Sequence, residues 1–189
     1  HDALPIWANV TYTITGDGKV EAALKWKGKA VESVPEFGLM LTLPAEYRNV
    51  AYYGMGPGET YSDFTSGAHM GLFGFDAHTA LQPYFNPQES GARTGVQAAA
   101  VTDAAGFGLC LAGNGFMLSA LPYTPHEVEN ARRQYELPPK VKTVVRCAKG
   151  QLGVAGDNTW GAGPHAEYHV ALEKGETFRF TFGGMGGNG

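Results

Sequence analysis

Short segments in which apolar and polar residues alternate, each cut off by glycine or proline, recur along almost the whole chain. Period-two alternation marks a strand with one buried face, and the interruptions are the turns between such strands. Trp7 to Thr15 alternates, Gly16-Asp17-Gly18 tolerates positive φ, and Val20 to Trp26 alternates again, which predicts a hairpin. Further strands are predicted over Phe37 to Leu43, Val50 to Tyr53, Val96 to Thr102, Phe107 to Leu111 and Phe116 to Leu121. Val141 to Cys147, Gln151 to Val154, Glu167 to Leu172 and Thr177 to Phe182 complete the set. Between Gly54 and about Gly91 no clean period appears, and a long aromatic connection of that kind is usually functional or an interface. One helix start stands out. Thr124-Pro125-His126-Glu127 places a capping hydroxyl, a proline at the first helical position and a glutamate three residues after the cap, which predicts a short helix near residues 125–133.

Strands joined by tight turns, with a single helix, predict an all-β antiparallel sandwich. The 27 glycines and the 12% aromatic content suit many short strands around an aromatic core. A length of 189 residues supports one domain, expected over residues 1–182, with a flexible glycine-rich tail over 183–189.

Charge and hydropathy exclude several classes of partner. The net charge of −4 and the isolated Arg132–Arg133 pair leave no basic stripe for nucleic acid. No apolar run approaches the ~20 residues that a membrane helix needs, and no basic segment precedes an apolar run at the start. The chain opens at His1 without a methionine, so its compartment stays open, with a cytoplasmic one favoured and a periplasmic or secreted one possible if a targeting segment preceded it. Cys110 and Cys147 sit in strand-like apolar contexts without CxxC spacing and are expected as buried free thiols. No metal site is expected, because His165 and His169 have no further ligand nearby. No Gly-x-Ser-x-Gly elbow occurs.

Four presumed loops concentrate aromatic, acidic and glycine residues. The most informative is Gly153-Val154-Ala155-Gly156-Asp157-Asn158-Thr159-Trp160-Gly161. An indole flanked by small residues can show its face to the apolar side of a sugar, while Asp157 and Asn158 bond hydroxyls. On residue types alone the alternative stands beside it: Trp160 plugs the end of the sandwich and Asp157 and Asn158 form an Asx turn. Glu89 and Arg93, four residues apart, are expected as a structural pair bracing their loop. Glu127 and Glu129 do not face each other on a helix, which argues against a catalytic dyad.

The other three segments are Gly54-Met55-Gly56-Pro57-Gly58-Glu59-Thr60-Tyr61-Ser62-Asp63, Pro87-Gln88-Glu89-Ser90-Gly91-Ala92-Arg93-Thr94, and the Tyr123-Thr124-Pro125 helix start with Tyr135-Glu136-Leu137-Pro138. Together with the Trp160 segment, and in this order, they resemble the C-terminal domain, or small chain, of the glycoside hydrolase family 2 β-galactosidases of the bacterial lac type. The resemblance runs from about Tyr12 to Phe182, with Ser90 where Asn is common and Thr159 where Ser is common. It implies a β-supersandwich similar to galactose mutarotase at the end of a larger, oligomeric enzyme. It also implies strands before the hairpin, so that the chain is expected as an incomplete supersandwich with exposed edges. In such enzymes a separate barrel carries the two glutamates of retaining hydrolysis, with Mg and Na ions nearby. The resemblance thus implies a β-galactoside substrate, Trp160 as a sugar contact, no catalytic residue in this chain, and an isolated chain without activity. Two other readings stay open: an aldose 1-epimerase recruiting His69, His78 or His126 with Glu89, and a carbohydrate-binding or assembly module.

Overall fold

The computed structural model describes residues 7–158 and 160–186. Eleven strands are present among them: β1 (Ala8–Ile14), β2 (Val20–Trp26), β3 (Val31–Val34), β4 (Glu36–Pro44), β5 (Asn49–Gly56), β6 (His69–Asp76), β7 (Arg93–Thr102), β8 (Gly108–Leu121), β9 (Lys142–Gln151), β10 (Val170–Leu172) and β11 (Thr177–Met185). The single α-helix among the described residues, α1, spans Pro125–Asn130 and carries the expected capping box, with Thr124 and Glu127 bonding each other's backbone amides. It stops short of Arg133 because Ala131 is already extended, at φ −77° and ψ 119°. The chain is an all-β antiparallel sandwich.

Strand β8 builds the sandwich. Its first half pairs with β11 through Gly108 to Gly113, its second half pairs with β9 through Met117 to Leu121, and β7 runs beside both halves. The change of partner falls at Gly113-Asn114-Gly115, where Gly115 has a φ of 71°, a conformation that a side chain would resist. One leaf is therefore β1-β2-β11-β8-β7-β5-β6, and the other continues from β8 to β9 and β4. Between them lies one core, with Leu24, Tyr52, Val101, Phe116 and Phe180 from the first leaf and Phe37, Leu118 and Val145 around the second. The outer face of the second leaf is also covered: Met117 and Ala148 pack with Tyr61 and Ala92 from the long connection. That cover is the foundation of the candidate site.

Several local expectations change. The segments Phe107 to Leu111 and Phe116 to Leu121 belong to one bent strand, since the glycines between them deflect the ladder without ending it. The region from Gly54 to Gly91 hides β6, whose apolar residues fall on both parities and whose Gly71 and Gly74 erase the alternation. Gln151 closes β9 and Leu152 to Val154 leave the ladder, with Leu152 N donating to Pro35 O at 2.8 Å. Of Glu167 to Leu172 only the last three residues form a strand; Ala166–Tyr168 is a 3₁₀ turn. Gly183, Gly184 and Met185, expected in the tail, pair with Cys110, Leu109 and Gly108, and the remaining tail residues 187–189 lie outside the described residues.

Both cysteines are free thiols, as expected. Cys147 is buried, and burial pushes its thiol up to about 12. Cys110 is half-buried and donates to Gly183 O at 3.2 Å. No described helix is long and apolar enough to cross a membrane.

Candidate functional site

The first two motif segments are tied together before any loop is displayed. Buried Glu59 accepts from Tyr84 Oη, from Ser90 Oγ at 3.1 Å and from Gly91 N at 2.8 Å. Thr60 N donates to Ala92 O at 2.8 Å, and Thr94 N donates to Thr60 Oγ1 at 2.8 Å. The chain then turns tightly from Tyr61 to Phe64, each backbone amide donating to the other residue's carbonyl at 3.2 and 3.0 Å.

This turn holds the Trp160 loop at both of its feet. Asp63 accepts from Val154 N at 3.1 Å and Ala155 N at 2.7 Å, while Ser62 Oγ donates to Tyr168 O at 3.2 Å. The neck of the loop closes where Gly156 faces Ala162, so closely that a Cβ at Gly156 would collide with the Ala162 carbonyl. Within the loop Asn158 Oδ1 accepts from Trp160 N at 2.8 Å, the Asx turn that its residue type allows. Asp157 is engaged too, with His165 Nε2 at 2.9 and 3.0 Å from its two oxygens. Thr159 lies outside the described residues.

Trp160 is 91% exposed. An indole buried in the end of the sandwich would be nearly inaccessible, so the plugging alternative is incompatible with this structure. Asp157 and Asn158, expected either to bond a sugar or to shape the turn, are occupied in shaping and bracing it.

The Asp157 hydrogen bond raises the His165 pKa above its ordinary value, with charge attraction adding to the effect. A raised histidine pKa favours the folded loop while the ring is charged in both states, and the benefit fades as pH rises through the folded value. A proton NMR titration of His165 is expected to give a midpoint above 6.5, its unperturbed value. Asp157→Asn is expected to return it toward that value, and an unchanged midpoint would remove the brace from the account.

Glu89 and Arg93 do not pair with each other. Arg93 is buried, donates to Ala92 O at 3.0 Å and places its guanidinium 4.9 Å from the Phe75 ring centre. Glu89 instead bonds Arg146 at 2.6 Å, and the same guanidinium bonds Glu36 at 2.7 Å. The expected pair is thus replaced by one between Glu89 and a residue of β9. Tyr61 Oη also donates to Glu89 at 3.3 Å, which links this ion triad to the turn that anchors the Trp160 loop. Of the histidines considered as acids beside Glu89, none lines either hollow that contains it. His78 is buried, with Nε2 3.1 Å from Lys142 O and 3.2 Å from Thr143 Oγ1.

Asp63, Ser62 and Arg146 were not singled out in the sequence. Asp63 and Ser62 sit at the end of the Gly54–Asp63 segment, where residue type alone gives neither a partner. Arg146 had a usable signal, a lone cation in the apolar run Val144-Val145-Arg146-Cys147-Ala148, where a buried charge requires partners.

Comparison with known proteins places this geometry in context. The family model described as β-galactosidase small chain matches residues 2–183. The chain is 37% identical over 179 residues to a β-galactosidase of Halalkalibacterium halodurans, covering 92% of this chain and 18% of that protein. To the β-galactosidase of Streptococcus thermophilus it is 35% identical over 176 residues, covering 92% of this chain and 17% of that protein. The β-galactosidase small subunit of Latilactobacillus sakei is 30% identical over 184 residues, with 90% of this chain and 57% of the subunit covered. The chain thus spans less than a fifth of the two longer relatives and more than half of the small subunit.

Proposed function

Since the chain belongs to the β-galactosidase small-chain family, we propose that it is the substrate-shaping, non-catalytic part of a β-galactosidase and that Trp160 stacks on the sugar bound in that enzyme. The observation that carries this reading is an indole 91% exposed on a loop anchored at both feet. Exposing so large an apolar side chain on a braced loop is costly unless a partner covers it, and the apolar face of a pyranose is such a partner.

The acid pair of retaining hydrolysis is assigned to a barrel part of the same enzyme, in the same or a companion chain. Glu36 and Glu89 are poor candidates for it because both are committed to Arg146. Among the described residues no three His, Cys, Asp or Glu side chains gather as ligands, and in this reading the Mg and Na ions that the resemblance implies belong to the barrel part. The isolated chain is accordingly expected not to hydrolyse a β-galactoside, and the Trp160 loop alone, one wall of a shared pocket, is expected to hold the sugar weakly at most. The test is hydrolysis of a β-galactoside by an enzyme carrying this domain with Trp160→Ala.

Asp63 acts as a positioning residue in this reading. Asp63→Ala removes both backbone bonds at the first foot, and its expected effect is a loss of about 1–2 kcal/mol in kcat/KM in the parent enzyme. Proteolytic nicking between residues 153 and 163 should accelerate in the variant, whereas Asp63→Asn, which keeps one acceptor oxygen, should fall between. Equal nicking rates in all three proteins would show that Asp63 does not hold the loop.

A further inference from the structure

Two hollows adjoin across the loop that bears Glu89. The first, of 630 Å³, has aromatic walls from Tyr61, Phe64, Tyr84 and Phe85. The second, of 740 Å³, brings the side chains of Glu36, Arg146, Gln151 and Arg132 together beside Pro35, Pro125 and Ala131. Asn86, Gln88 and Glu89 belong to both. Their sizes fall in the range of small-molecule sites, ~300–1,000 Å³.

Three features of this cleft are not explained by folding alone. The Arg146 side chain is 6% exposed between two carboxylates that are 23% and 20% exposed, so the guanidinium is buried while both acceptors reach the cleft. A buried ion triad is an expensive way to fill space, but it holds acceptors rigidly. The side-chain oxygen of Gln151 is buried and has no hydrogen-bond partner among the described residues. An unsatisfied buried acceptor costs about 1–3 kcal/mol, and a ligand donor would relieve it. Gln88, which separates the two hollows, has a φ of 41°, and such strain in a residue other than glycine clusters at ligand sites.

We propose that this cleft binds a neutral carbohydrate. Its hydroxyls donate to Glu36, Glu89 and Gln151 in the second hollow, and the apolar face of a ring lies against Tyr84 and Phe85 in the first. The chemistry suits a donor-rich, uncharged ligand: Glu36, Glu89 and Glu129 offer carboxylate oxygens to hydroxyl groups, while Arg132 and Arg146 offset two of those three charges, so the lining draws neither an anion nor a cation strongly. Phe85 is 77% exposed, and the guanidinium carbon of Arg133 sits 3.8 Å from its ring centre on one side. The opposite face is left for the sugar. This site does not depend on Trp160.

The test is a titration of the ¹⁵N-labelled 189-residue chain with lactose, followed by two-dimensional NMR. Gln88, Glu89 and the Gln151 side-chain amide are expected to shift together along one saturation curve. Trp160→Ala should leave that curve unchanged, whereas Gln151→Leu should weaken binding about tenfold. Glu89→Gln should weaken it as well, and a dispersed amide spectrum in each variant confirms that the fold is kept. No saturable shift at these residues up to about 100 mM lactose, shifts confined to the Trp160 loop, or a curve indifferent to Gln151→Leu would each overturn the proposal. Hydrolysis by the parent enzyme with Trp160→Ala is a separate readout, so the failure of either reading is visible without the other.

Discussion

Replacing Trp160 by alanine in a β-galactosidase that carries this domain should lower kcat/KM for a β-galactoside by about 1–3 kcal/mol, roughly five- to 150-fold at 25 °C. The loss is expected mainly in KM, because an aromatic face under a pyranose contacts the ground state and the transition state alike. Folding should be untouched. At 91% exposure the indole makes little contact with its own domain, so the melting temperature of the variant should match that of the parent. This combination separates a contact with substrate from a packing role, which would lower the melting temperature first. Unchanged kcat and KM would remove Trp160 from the sugar site.

The second large effect concerns stability. Arg146→Met should destabilise the domain by about 3–5 kcal/mol near neutral pH, the usual cost of leaving partly buried charges without their counter-ion. Glu36 and Glu89 would then face each other with the guanidinium gone. Burial already raises the Glu36 carboxyl above its ordinary range, opposed by Arg146 and assisted by Glu89. A carboxyl with a raised folded pKa favours the folded state when protonated, and that contribution is lost as pH rises through the folded value. The destabilisation in Arg146→Met should therefore be greatest near neutral pH and shrink in acid. Denaturant unfolding at about pH 7 and about pH 5 measures both parts of the prediction. A pH-independent loss below about 1 kcal/mol would mean that the triad does not support the loop.

The fold was largely legible because strand alternation, turn glycines and helix caps are short-range rules. The hairpin of β1 and β2 and the capping box at Thr124 follow from neighbours a few residues apart. β6 escaped because glycines replace side chains at two of its positions, and a missing side chain leaves no period to read. The continuity of β8 escaped for a related reason. Whether Gly113-Asn114-Gly115 ends a strand or bends it depends on the partners waiting on either side, β11 and β9, which lie far along the chain.

The candidate site divides in the same way. Residue types and the order of four motifs determined, without coordinates, the sandwich class, the family resemblance and the placing of Trp160 and Asn158 on one turn. Only the tertiary structure decided that Trp160 faces outward, that Asp63 holds its loop from 91 residues away, and that Glu89 pairs with Arg146 rather than Arg93. The physical reason is the range of the forces that set each feature. Backbone preference and side-chain period act between near neighbours, whereas exposure and ion-pair choice depend on which surfaces the folded sheet brings together.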